Sequence, residues 1–356
     1  MLQETVSNLL LDRATSDIHV EVGKPVWARL NGNMKTFGKA VTQQDLEAFL
    51  TSVLVEAELA KMQTDIAEKG DGDFATNVGP VRVRGNVYSS NGGRDAFVLR
   101  KLSDHIPAPH ELGLPPNILQ IFDRSRGLFL TTGATGHGKS TTQASIVDYL
   151  NQTRELKITT IEDPREYLFA DKKSHISQRE VGKDAPSFHH VLRSALRQDP
   201  DVLVIGEMRD RETVETAVQA ANTGHLVLAT LHTFNAQQSV ERIASFYAAD
   251  EKEWAHKMLS SVLLGVLSQC LVPKADGNGR VLCYELLVNT DEARTNIALG
   301  KTAALFNTMD TGRRDGQVLL NHNLIEKVRS GLISVDDARY ASYAPVAFDK
   351  ELNNAY

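Results

Sequence analysis

Cysteine is nearly absent from this chain: 356 residues carry two, Cys270 and Cys283. Two cysteines in this spacing build neither a disulfide framework nor a C-x-x-C zinc pair, and such usage fits a reducing cytoplasm. No excess of positive charge is present either. The formal net charge is −6, where a nucleic-acid binder usually shows a basic footprint. Long hydrophobic runs are missing as well. The most apolar stretch, SSVLLGVLSQCLV (260–272), is too short and too polar to span a bilayer, so no direct membrane insertion is expected. The opening MLQETVSNLL has no basic region followed by an apolar core, and a signal peptide is not expected. Internal repeats and low-complexity runs are also lacking. What remains is an ordinary globular composition, 42% hydrophobic and 24% charged, in a length comfortable for two domains.

Residues 1–102 read as a small α+β domain. Leu2, Val6, Leu9 and Leu10 recur at helical spacing, so the first helix is expected from about Leu2 to Arg13. DIHVEV (17–22) alternates as a strand, and Asn31-Gly32 and Asn91-Gly92-Gly93 are turn signals between later alternating segments. Thr42 stands where a helix cap is needed, before QQDLEAFLTSVL. The turn KGDGDF (69–74) invites a calcium reading, but it lacks the later acidic ligands and closing Glu of an EF-hand loop. It reads as a plain acidic turn.

The proline-rich stretch 103–117 reads as a linker. Beyond it, short continuous apolar runs alternate with helical segments: GLFLTT (127–132), KITTI (157–161), DVLVI (201–205) and LVLATL (226–231). Unbroken apolar strands belong in a parallel sheet covered on both faces. An α/β core is therefore expected over 118–273, followed by a mostly helical region over 274–356.

Ligands of open α/β sheets lie beyond the carboxyl ends of the strands, so the residues just past each run are the informative ones. After GLFLTT comes Gly133-Ala134-Thr135-Gly136-His137-Gly138-Lys139-Ser140-Thr141, and then a helical pattern. Strand, glycine loop and helix form the context a P-loop requires. Backbone N–H groups of such a loop turn inward on phosphate, and the helix N-terminus adds positive potential. Lys139 is expected on the β- and γ-phosphates of ATP and the Ser140 hydroxyl on Mg²⁺. His137 occupies a position that presents mainly backbone to the phosphates, so its side chain is expected toward solvent. KITTI is followed by Glu162-Asp163-Pro164 and DVLVI by Gly206-Glu207. These acids can orient or deprotonate a water, and Glu207 can also hold Mg²⁺ through its water shell. Asp201 lies at the wrong end of its run. LVLATL is followed by His232, placed to sense the γ-phosphate, and is opened by His225 at the opposite end. Arg82, Arg84, Arg94 and Arg100 in the first domain are candidates for an arginine borrowed by a second copy's site to stabilise transition-state charge.

GATGHGKST, ITTIEDPREY, LRSALRQDPDVLVIGEMRD and TGHLVLATLHT, in this order, together with SDIHVEVGKP, SQREVG and NHNLIEKVRSGLIS, resemble the secretion ATPases of type IV pilus and type II secretion systems, most of all the pilus retraction branch. The resemblance spans nearly the whole chain. It implies a PAS-like N-terminal domain followed by a RecA-like P-loop NTPase domain, assembled as a homohexameric, ATP-hydrolysing motor for pilus retraction. It also implies 133–141 as the Walker A loop, 160–166 as an Asp box with Glu162, 201–210 as Walker B with Glu207, and 223–233 as a His box with His225 and His232. Arg84, Arg94 and Arg100 become the favoured arginines. The implied partners are an inner-membrane pilus platform protein, met from the cytoplasmic side, and a paralogous motor ATPase. Assembly and secretion members usually carry a four-cysteine zinc module, which two cysteines cannot supply.

Departures from the family pattern fall at Ala134, His137, Arg165 and the stretch EARTNIAL (292–299). Three other readings share much of the motif set. They are a secretion or conjugation motor, a weakly active accessory subunit of a pilus motor, and a DNA motor, the last disfavoured by the acidic charge. A small-molecule kinase would need an acceptor pocket that the motor motifs do not supply.

Overall fold

The computed structural model describes residues 2–12, 14–30, 32–90, 94–102 and 105–354. The turn expected at Asn91-Gly92-Gly93, Asn31 of the earlier turn, Arg13 and the side chain of Arg94 lie outside what is described. The chain forms two units, Met1–His105 and Ile106–Tyr356.

In the first unit, helix α1 (Leu2–Leu11) buries Leu2, Val6, Leu9 and Leu10. Strands β1 (Thr15–Glu21), β2 (Val26–Leu30) and β3 (Asn33–Phe37) come next, then α2 (Gln43–Val53), α3 (Glu56–Lys69), β4 (Asp71–Val78), β5 (Val81–Ser90) and β6 (Arg94–Lys101). Thr42 and Asp45 form a reciprocal capping box at the start of α2, which satisfies two otherwise orphaned backbone donors. The six strands run in the order β3-β2-β1-β6-β5-β4, with every neighbouring pair antiparallel. Burial alternates along β5, so one face of the sheet meets the helices. Phe49 of α2 stacks on Phe97 of β6 at 5.0 Å between ring centroids. The stretch KGDGDF (69–74) is not a turn as a whole: Lys69 ends α3, Gly70 caps it in the left-handed conformation, and Asp71 to Phe74 already belong to β4. Among the described residues no group of three or more His, Cys, Asp or Glu is placed to hold a metal ion.

The second unit begins with α4 (Pro116–Ile121), β7 (Gly127–Thr132), α5 (Lys139–Thr153), β8 (Lys157–Glu162), β9 (His175–Glu180) and α6 (Phe188–Ala195). It continues through β10 (Val202–Ile205), α7 (Arg211–Asn222), β11 (Leu226–Leu231), α8 (Ala236–Ser245), α9 (Lys252–Val262), β12 (Leu263–Pro273) and β13 (Arg280–Val288). The sheet order is β13-β12-β7-β11-β10-β8-β9. All neighbours are parallel except the β12–β13 pair. Every residue of β7, β10 and β11 is buried, as expected of central strands covered on both faces. Together the two units make an α/β chain: an antiparallel-sheet unit, then a largely parallel P-loop sheet.

The region after 274 departs from a purely helical reading. It holds α10 (Asp291–Ala298), α11 (Leu305–Thr311), α12 (Leu320–Arg329), α13 (Val335–Ala341) and α14 (Pro345–Asn354), but it opens with β13. This strand completes an antiparallel hairpin with β12, in register from Gly265↔Val288 to Pro273↔Arg280. An expected boundary at 273/274 would cut that hairpin at its turn. Burial on both faces hides the period-2 signal in RVLCYELLV, and the apolar run 260–272 divides between the end of α9 and β12. Cys270 and Cys283 face each other across the hairpin as free thiols. Burial pushes them up to about 11 and about 12, so both stay protonated and poorly nucleophilic at neutral pH. Among the described residues, no helix is long and apolar enough to cross a membrane.

Candidate nucleotide site

The carboxyl ends of β7, β8, β10 and β11 bring together the residues on which the sequence pattern converges. The loop after β7 depends on glycine for distinct reasons. Gly133, Gly136 and Gly138 have φ of 144°, 80° and 80°, a region that side chains with a Cβ rarely adopt. A Cβ on Gly133 would also lie 2.3 Å from the carbonyl oxygen of Gln269 on β12. We expect Gly133→Ala to displace the loop from β12 and weaken ATP-analogue binding about tenfold, on the scale of one to three kcal/mol for a strained backbone position. Titration with a fluorescent, non-hydrolysable analogue reads this directly.

Lys139 opens α5 and is buried. Its Nζ donates to the carbonyls of Gly133 at 2.7 Å and Ala134 at 3.1 Å, and lies 3.4 Å from His232 Nδ1. Burial lowers its pKa, while Glu207 and Glu166 act in the opposite direction. On the other side of the imidazole, His232 Nε2 lies 3.2 Å from Glu207 Oε1. An ammonium has only hydrogens to offer, so Nδ1 must be the acceptor and Nε2 carries the proton toward Glu207. This assigns the tautomer and makes one chain from the loop through Lys139 and His232 to Glu207. The second oxygen of Glu207 accepts from Arg209 Nε at 2.8 Å. The carboxylate is therefore clamped between an imidazole and a guanidinium at the end of β10.

Glu162 stands at the end of β8 and accepts from Thr160 Oγ1 at 2.7 Å, from the Glu166 amide at 3.4 Å and from Gln178 Nε2 at 3.4 Å. Burial pushes its carboxyl upward, opposed by these hydrogen bonds. Gly206, between Ile205 and Glu207, lets β10 pass close to this strand end. A Cβ there would lie 3.2 Å from the Ile161 carbonyl oxygen and 3.4 Å from Glu162 Cα. The result is two carboxylates on adjacent strand ends beside an anion-binding loop. One is clamped between an imidazole and a guanidinium, and burial pushes the other toward its neutral form.

A family profile described as "Type II/IV secretion system protein" matches residues 1–340. The chain belongs to this family. It is 38% identical over 338 residues to the type IV pilus retraction ATPase PilT of Pseudomonas aeruginosa, covering 94% of this chain and 96% of that one. The type IV pilus ATPase PilU of the same organism is 36% identical over 94% of this chain and 87% of its own. A crystal structure titled as the pilus retraction motor PilT with bound ADP superimposes with a TM-score of 0.88, at 42% identity, covering 98% and 99% of the two chains.

One residue of this secretion-family chain, His137, lies otherwise than expected. The His137 ring does not point to solvent. It turns onto β12, with Nδ1 3.3 Å from the Gln269 carbonyl oxygen, while Gln269 Nε2 donates to the His137 carbonyl at 2.7 Å. A small residue at 137 would leave the Gln269 carbonyl without the ring, and so histidine here ties the loop to the sheet. Arg165 is satisfied by an ion pair of its own, at 3.0 Å to Glu180, a buried acid on β9. His225 lies at the far end of β11, where its Nδ1 is 3.0 Å from the Ala220 carbonyl at the C-terminus of α7. This is the end of the strand away from the loop, where its position in the sequence puts it.

Arg84 and Arg100 are cross-strand partners on β5 and β6. They pair with Asp73 at 3.7 Å and Asp17 at 2.8 Å respectively. Four residues that the sequence did not single out support the loop or the acid beside it. Gln269 backs the loop, Arg209 clamps Glu207, and Arg280 Nη1 donates to the Gly136 carbonyl at 3.3 Å. Tyr167 hydroxyl lies 2.8 Å from Thr141 Oγ1. Only Arg209 carried a signal, as a cation two residues after a strand-end acid.

Proposed function

We propose that this chain is a hexameric, ATP-hydrolysing motor that powers type IV pilus retraction. The observation that carries the reading is the Lys139–His232–Glu207 chain, which starts on the glycine loop and ends on a strand-end carboxylate. The close likeness to proteins named as pilus retraction ATPases supports the pilus assignment.

The residues suggest a division of labour. Backbone N–H groups of 133–141 cradle the phosphates. Lys139 exchanges its two loop carbonyls for β- and γ-phosphate oxygens, and its charge is little diluted by solvent because the side chain is buried. Ser140 is the residue that would hold Mg²⁺ through its hydroxyl, with Glu207 reaching it through water. Mg²⁺, when bound, neutralises charge developing on the phosphates. The Glu207 carboxylate orients an attacking water and takes its proton as the bond between the γ-phosphorus and the β,γ-bridging oxygen breaks, leaving ADP and phosphate. Glu162, with its carboxyl pushed upward, holds the far side of the site by hydrogen bonding. His232 touches both Lys139 and Glu207, so replacing a phosphate by its hydrolysed product changes its two partners together. Arg84, Arg94 and Arg100 of another copy are candidates to supply transition-state charge, which would make turnover depend on assembly. Such a motor would sit in the cytoplasm against an inner-membrane platform protein.

The test is ATP turnover per chain measured against protein concentration, with light scattering on the same samples. Turnover should rise as mass corresponding to six copies appears. An assembled ring that binds ATP and releases no phosphate would replace this reading with that of an accessory subunit.

A further inference from the structure

Glu285, on β13, is a buried acid outside the nucleotide site. Its Oε1 accepts from the Ala236 amide, the first residue of α8, at 2.9 Å. The Leu320 amide, the first residue of α12, donates to the same carboxylate. The Tyr343 hydroxyl donates to Oε2. One carboxylate thus ends two helices at once, where the positive ends of both dipoles favour an anion. Burial pushes the carboxyl up to about 7, opposed by these two amides.

What it holds is informative. The segment between His232 and α8 is short and internally braced. Thr233 Oγ1 lies 2.6 Å from Ser239 Oγ, Ser239 donates to the Asn235 carbonyl at 2.7 Å, and the Asn235 side chain caps α8 through the Gln238 amide at 2.8 Å. A short braced segment transmits displacement rather than absorbing it. On the other side, Ser342 beside Tyr343 donates to Asn321 of α12 at 2.7 Å, and the Asn323 side chain accepts from the Tyr284 amide at 3.1 Å. The C-terminal helices are therefore tied to β13 at the same point.

We propose that Glu285 is a positioning residue that links the His232 segment to α12 and Tyr343, so that the state of the nucleotide site is carried to the C-terminal helices. The proposal rests on the ATPase reading of that site. Glu285 touches no substrate and acts through Ala236 and His232.

Glu285→Gln is the informative variant. It keeps the volume, but its amide nitrogen cannot accept, so the two helix amides and the phenol compete for one oxygen. In the parent chain, a non-hydrolysable ATP analogue should slow amide hydrogen exchange both in 232–240 and in 319–326. In Glu285→Gln only the first segment should slow. kcat should fall about tenfold, with analogue affinity and melting midpoint close to those of the parent, the pattern expected when an interaction made only on the way to the transition state is lost. Tyr343→Phe, which removes one donor and leaves the carboxylate, should fall between the two. Equal protection of both segments in Glu285→Gln overturns the proposal, as does a loss of kcat matched by a lower melting midpoint and lost analogue affinity. A parent chain that binds the analogue yet releases no phosphate from ATP would instead sink the ATPase reading, while the exchange experiment would still decide the link through Glu285.

Discussion

Lys139→Ala is expected to abolish measurable ATP turnover and weaken ATP binding by about two to three orders of magnitude. The side chain is buried at the start of α5, and its ammonium already spans the Gly133 and Ala134 carbonyls. Those contacts hold the loop in its cradle form. Alanine removes the donor from both carbonyls and removes the cation aimed at the phosphates. Truncating one member of a desolvated charge pair costs about 2–5 kcal/mol, and each 1.4 kcal/mol is tenfold in affinity. Lys139→Arg separates charge from shape. The guanidinium keeps the charge, but its planar fork cannot sit between two carbonyls 2.7 and 3.1 Å from one nitrogen. It should therefore recover part of the binding and little of the turnover. Isothermal titration with ATP and a phosphate-release assay give the two numbers. Parental turnover in Lys139→Ala would mean that this loop is not where ATP is hydrolysed.

Glu207→Ala should leave ATP affinity within about threefold of the parent, while turnover falls about 10²–10⁴-fold, the range general-base assistance supplies. The carboxylate lies beyond His232, one residue removed from Lys139, so the groups that grip phosphate stay in place when it is deleted. What is lost is the acceptor for His232 Nε2 and Arg209 Nε. Glu207→Gln distinguishes loss of a base from loss of geometry. The amide oxygen still accepts one of those two hydrogen bonds, but it takes no proton from water. If Gln and Ala variants are equally inactive and both bind ATP, proton transfer is the missing function. A Gln variant with most of the parental turnover would assign Glu207 to holding His232 and Arg209. Single-turnover phosphate release separates both outcomes from a defect in product release.

Much of the second unit was legible because its signals are local. A strand buried on both faces must be a continuous apolar run, and GLFLTT, KITTI, DVLVI and LVLATL are such runs, each ending where polar or glycine residues begin. A loop that turns backbone N–H groups inward requires glycine at positive φ, and the spacing of Gly133, Gly136 and Gly138 states that need directly. The residues just past each strand then bring Lys139, Glu162, Glu207 and His232 together without any three-dimensional information. In the first unit, Thr42 and the apolar positions of α1 were equally plain, because caps and helical stripes are set by neighbours three or four residues away.

Contacts distant in the chain were not legible. β9 is an edge strand whose HISQRE alternates no clear apolar face, β12 shares an apolar run with the end of α9, and burial on both faces masks the period of β13. The inward turn of His137 depends on Gln269, 132 residues later, and the Arg165–Glu180 ion pair depends on β9 lying beside β8. The tautomer of His232 becomes definite only once a lysine and a carboxylate are seen on its two sides. Glu285 reads as one more acid in an apolar strand until the helix ends that close on it are known. Sequence alone determined the two-unit α/β organisation, the phosphate loop and the strand-end acids, since backbone sterics and burial period impose these on neighbouring residues. Only the tertiary structure decided which side chains share a proton, a carbonyl or a helix end, because a hydrogen bond is set by distances of about 3 Å between residues whose separation along the chain carries no such information.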